Sequence, residues 1–145
     1  PMFAHVAAAG QPEGLRYDFE AITRAPNTRN AHRVLLLAQD HGRLWEAAEA
    51  MFAAYFAEGR DVTAAAVLVE VGAAAGLDAD AVREMLAGDA YAAAVDEAQE
   101  MADGSGITGV PFAIFDGKFA VSGAQPPEVF RTAIGRALDE AAEAT

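Results

Sequence analysis

Cysteine is absent from all 145 residues. No disulfide can staple this chain, and no thiol of its own can act as a nucleophile or a metal ligand. Lysine is nearly absent as well, occurring only at Lys118. No basic run marks a surface that could track a nucleic-acid backbone. Ten basic residues against 22 acidic ones give a net charge of −12, so nucleic acid is not an expected partner and an anionic membrane surface would repel the chain. No apolar run approaches the ~20 residues of a membrane span. The opening PMFAHVAAAGQPEG has no basic region ahead of its short apolar run and is not a convincing signal peptide. The cytoplasm is the expected compartment. The chain opens at Pro1 with no initiator methionine ahead of it, and is expected to be a trimmed or partial chain.

What is present suits one compact domain or two small interlocked subdomains. Hydrophobic residues make up 53% of the chain, and many are alanine. Helices would therefore pack closely, with the few large side chains carrying most of the burial energy. Residues 2–9 read as the last turns of a helix ending at Gly10, and LRYDF (Leu15–Phe19) as a short extended segment. Five helical segments follow. The first is capped at Asn27 or Thr28 and ends at Gly42. The second places Leu44, Ala48, Met51, Phe52, Tyr55 and Phe56 on one stripe, with Trp45, Phe52 and Phe56 expected in the core. The third starts behind Thr63 as its cap, the fourth at Asp78 or Asp80, and the fifth is DAYAAAVDEAQEMADG (89–104), with Tyr91, Val95, Ala98 and Met101 on one face.

The hydrophobic period then changes from 3.6 to 2. PFAIF and KFAVS flank Asp116-Gly117, a type I′ hairpin signal. Pro126-Pro127 opens a last helix whose stripe is Phe130, Ile134 and Leu138. The fold class expected is α+β, with a mainly helical domain over 1–106 and a C-terminal ββα part over 107–145. A two-stranded hairpin is marginal alone in water. LRYDF is a candidate to pair with it, or the last helix to cover it. Its unpaired edge also offers a route to a homodimer.

Other chemistry is thinly supported. His5, His32 and His41 are spaced too widely for a compact ligand set and no cysteine joins them, so no metal site is expected. His32 is expected to pack or bond within the helical domain, and His41 to sit favourably near a helix C-terminus. Asp96, Glu97 and Glu100 read as a solvated acidic face. Ser105 and Ser122 have no evident His–Asp relay. GSGITG (104–109) lacks the lysine of a phosphate loop and leads into a strand. No cofactor is expected.

TGVPFAIFDGKFAVSGAQPPEVF (108–130), together with PNT..AHR (26–33) and AYFAEGRDV (54–62), resembles the DsbA-like thiol-disulfide oxidoreductases, and most closely their FrnE-like branch. Those proteins are thioredoxin folds with an inserted helical domain. The resemblance covers the insertion, the hairpin and the closing helix, so the sheet here would be an incomplete thioredoxin-like one. The strand–helix–strand unit bearing the Cys-x-x-Cys pair has no counterpart in this chain. The resemblance therefore implies no catalytic residue here, and the chain as given is expected to be inactive. It implies a substrate loop at Gly109, Val110, Pro111 and Phe112, with a cis bond before Pro111 and the Val110 backbone open to a peptide strand. The implied partner is a thiol- or disulfide-bearing protein or peptide. Two alternatives remain open. Glutathione-dependent isomerases related to kappa-class transferases share the Val-Pro loop and a helical insertion, although SGAQP fits the FrnE-like branch better. A non-catalytic peptide-binding or dimerising module is the other.

Overall fold

A computed structural model describes residues 2–143; Pro1, Ala144 and Thr145, at the ends of the two expected domains, lie outside the described residues. The chain divides into two compact units, Pro1–Glu97 and Ala98–Thr145. It is a mostly helical α+β protein.

The first unit contains α1 (Met2–Gly10), a 3-10 turn (Gln11–Glu13), α2 (Arg29–Asp40), α3 (Leu44–Phe52), a π-helical turn (Ala53–Ala57), α4 (Ala65–Ala74) and α5 (Ala79–Ala87); α6 (Ala92–Gly104) contains the division. Its core gathers Val34 and Leu37 of α2, Ala47 and Met51 of α3, Leu68 and Val71 of α4, and Val82 and Met85 of α5. Small residues let the helices approach. A Cβ at Gly72 would stand 2.8 Å from Val82 Cγ2, so α4 meets α5 there with no room for a side chain. Asp78 caps α5 by accepting the Ala81 amide at 2.8 Å, as the sequence leads one to expect.

Several local expectations fail for identifiable reasons. Thr63 does not cap α4; its hydroxyl donates to Asp61 Oδ1 at 2.6 Å, and Ala64 holds the cap position without a side-chain bond. Leu15–Phe19 forms no strand. It is held by rings instead: Phe19 stacks on Phe3 at 4.7 Å and Tyr17 stacks on Phe19 at 5.1 Å, while the Asp18 amide donates to the Phe56 carbonyl at 2.7 Å. His32 is exposed, and the next residue, Arg33, is the buried one.

The stripe expected on the second helix is also displaced. The buried positions are Ala47, Met51 and Ala54, whereas Phe52 is 61% exposed and Trp45 80% exposed. The inner face of these close-packed helices takes Ala47, Met51 and Ala54; Tyr55 packs at the margin of the core, Phe56 is half-buried, and Phe52 and Trp45 stay outside. Trp45 is the sole tryptophan, so its emission is expected to resemble that of free tryptophan and to be quenched readily by acrylamide. A blue-shifted, protected signal would contradict this placement.

Ion pairs decorate the surface of this unit. The Arg29 guanidinium donates to both carboxylate oxygens of Asp96, at 3.0 and 2.5 Å, and this bond holds Asp96 below its ordinary pKa. Asp61 is likewise lowered, chiefly by the Thr63 hydroxyl, then by the Thr63 amide and Arg24. Groups with depressed folded-state values contribute stability above the unfolded value of about 4, and lose it as pH falls through the folded value. The urea midpoint of helix loss is therefore expected to fall as the solution is acidified below about pH 4. Asp96→Asn should flatten part of that slope; a variant with an unchanged pH profile would show that the pair contributes nothing.

The second unit holds β1 (Phe112–Phe115), β2 (Phe119–Ser122) and α7 (Pro127–Glu143). The strands pair antiparallel with Phe112 opposite Ser122 and Phe115 opposite Phe119. Asp116 and Gly117 both have positive φ, as a type I′ turn requires, but Lys118 stays outside the ladder as a third loop residue, its amide bonded to the Phe115 carbonyl at 3.1 Å. Helix α7 covers one face of the hairpin. Phe130 meets Phe115 edge-on at 6.5 Å, and Ala137 and Val121 are buried. The expected stripe is only partly used, since Ile134 is 42% and Leu138 65% exposed.

Candidate functional site

The loop ahead of β1 is built from both sides by backbone geometry. On its N-terminal side α6 closes with a paired turn: the Ile107 amide donates to the Ala102 carbonyl at 3.0 Å and the Gly106 amide to that of Asp103 at 3.0 Å. This is a Schellman arrangement, which needs a left-handed residue, and Gly106 supplies it at φ 69°. The chain is thereby turned out of the helix and into Thr108–Pro111.

On the C-terminal side the SGAQP stretch secures the loop. Gly123, at φ 82°, donates its amide to the Pro111 carbonyl at 2.8 Å, and Gln125 Nε2 donates to the Ser122 carbonyl at 2.9 Å. The two stretches GVP and SGAQP, 11 residues apart from Pro111 to Ser122 in sequence, thus form one local assembly.

Within it, the Val110–Pro111 peptide bond is cis. Val110 is 90% exposed, and among the described residues no hydrogen bond reaches its N–H or C=O. A Cβ on Gly109 would meet nothing within 4 Å among the described residues, so that side of Gly109 is open. Phe112 is half-buried and begins β1. Gly109 and Val110 therefore present an uncovered backbone segment, held at its far end by the Pro111 carbonyl's bond to Gly123 and leading into Phe112 of β1. Such a segment can pair with an extended strand; it carries no acid, base or nucleophile.

The first unit contributes a different concavity, a groove of about 680 Å³ whose lining includes Leu15, Tyr17, Phe52 and Phe56 with Glu49 and Glu58. Little in the sequence marks it, because the same i, i+4 spacing of Phe52 and Phe56 also describes a core stripe. Among the described residues no group of three or more His, Asp or Glu side chains is placed to hold a metal ion, and no helix is long and apolar enough to cross a membrane.

The family model described as a DSBA-like thioredoxin domain matches residues 1–135. Among solved structures, the crystal structure of a probable DsbA oxidoreductase from Streptomyces coelicolor superposes with a TM-score of 0.84 at 39% sequence identity. The match covers 94% of this chain and 59% of that one. No curated protein is significantly similar to the chain.

Proposed function

This chain belongs to the DSBA-like thioredoxin domain family, and from that premise we propose that it is the substrate-presenting part of a FrnE-like dithiol–disulfide oxidoreductase. The observation that carries the proposal is the Gly109–Phe112 loop. Its Val110 backbone is uncovered, while Pro111 is anchored through its carbonyl to Gly123. An extended segment of a thiol- or disulfide-bearing protein would add to this backbone as a strand, holding its sulfur in register for exchange.

Exchange itself proceeds by thiolate attack on a disulfide sulfur. None of the 145 residues is a cysteine, so the attacking pair must come from residues outside them. The 59% coverage of the Streptomyces protein accords with a longer functional polypeptide. The cytoplasm is the proposed compartment, checked by cell fractionation.

A thiol count on the protein isolated from its source tests the proposal. After reduction, mass spectrometry should find a pair of alkylatable cysteines in the polypeptide that contains this chain. A native species without cysteine would refute the oxidoreductase assignment. The 145-residue chain alone is expected to give no insulin reduction above the dithiothreitol blank, and turnover there would refute the source assigned to the thiols.

A further inference from the structure

We propose that the outer edge of β2 is a docking strand for an extended polypeptide whose C-terminal end is acidic. The edge is distinct from the Val110 loop, and the proposal does not rest on the function proposed above.

Ladder parity identifies the exposed groups. Gly123 donates to Pro111, and the register advances in steps of one from Phe112↔Ser122 to Phe115↔Phe119. Bonded pairs alternate with non-bonded ones in an antiparallel ladder, so Phe119 and Val121 turn their N–H and C=O toward β1, and Ala120 and Ser122 turn theirs outward. The Ser122 carbonyl is taken by Gln125 Nε2. Among the described residues no bond from elsewhere reaches the Ala120 N–H and C=O or the Ser122 N–H. FAVS carries no charge and no proline, the usual devices that discourage an edge from pairing.

Beside this edge runs a groove of about 570 Å³ between β2 and α7, lined in part by Val121, Val129 and Ala133. Alternate side chains of an added strand would face this apolar lining. Charge selects the occupant. Arg136 lines the same groove, with its guanidinium 4.8 Å from the centre of the Phe119 ring, and no ion pair engages it among the described residues. Lys118, at the same end, is occupied by Asp116 and Glu140. A strand antiparallel to β2 runs from Ser122 toward Phe119, which brings its C-terminal end to Arg136. A terminal carboxylate or a last acidic side chain completes that cation.

The test uses a fluorescein-labelled hexapeptide of alternating valine and threonine ending in glutamate, titrated into the 145-residue chain by fluorescence anisotropy and by amide NMR. Shifts are expected at the Ala120 and Ser122 amides. An amidated analogue ending in lysine should bind about tenfold more weakly, as the loss of one charge-assisted bond implies. Arg136→Glu should reverse that preference, and N-methylation of the peptide backbone should abolish binding. Absence of shifts at β2, equal binding of all peptides, or an unaltered preference in Arg136→Glu would each overturn the proposal. Protection of the same amides that grows with protein concentration rather than peptide would assign the edge to a second copy and overturn it too.

Discussion

Replacing Arg33 with methionine is expected to lower the unfolding free energy by about 1–3 kcal/mol, the range for leaving a buried hydrogen-bonding group without its partner. Arg33 is only 4% exposed. Its Nη2 donates to the carbonyls of Met85 at 2.5 Å and Gly88 at 2.8 Å, its Nε to that of Ala90 at 2.8 Å, and its Nη1 to Asn30 Oδ1 at 3.0 Å. The backbone acceptors lie at the end of α5 and just beyond it. A helix leaves its last carbonyls without partners and carries partial negative charge there. Arg33 answers both needs at once, with its charge compensated by the helix terminus rather than by a carboxylate. Methionine fills similar volume but leaves the buried Met85 carbonyl without its partner, whereas Gly88 and Ala90 are exposed and their carbonyls can turn to water. Lysine, which lacks the planar fork, should recover only part of the loss. Urea denaturation followed by helical circular dichroism measures the effect. Arg83→Met is the control: Arg83 pairs with Asp80 on the exposed surface, and such pairs contribute about 0–1 kcal/mol. Equal effects in the two variants would show that Arg33 does not clamp α5.

Leu68→Ala is expected to destabilise the first unit by about 3 kcal/mol, within the range for buried leucine truncation. Leu68 is fully buried and among the largest side chains in a core otherwise filled mainly by alanine and valine. Its removal leaves a void that short neighbours cannot reach across. Leu138→Ala offers the contrast, because Leu138 is 65% exposed. Comparable losses from both would mean that α7 buries Leu138 against something. A tolerated Leu68→Ala would mean that the helices collapse into the space.

The punctuation of the chain is legible in the residues themselves. Gly42, Gly59 and Gly76, all at positive φ, mark helix ends, Asp78 a helix cap, and Asp116-Gly117 the hairpin turn. These features depend on which backbone angles a residue allows, a property it carries with it. The Val-Pro loop is legible from its resemblance to a known family and not from spacing. Nothing local singles out Arg33 over its neighbour His32 as the buried polar group. An arginine in a helix is ordinarily solvated, and the end of the other helix that meets it lies more than 50 residues away, at Met85.

By itself, then, the sequence determined the order of the main helices, the hairpin and the closing helix, and the exclusion of thiol chemistry within these residues. Tertiary structure alone decided which rings stay outside, why Gly123 belongs with Pro111, and where an open strand edge lies beside a cation. The physical reason is range. Turn and capping preferences act over a few residues, whereas burial and hydrogen-bond pairing depend on groups brought together from distant positions, such as Arg33 and Ala90.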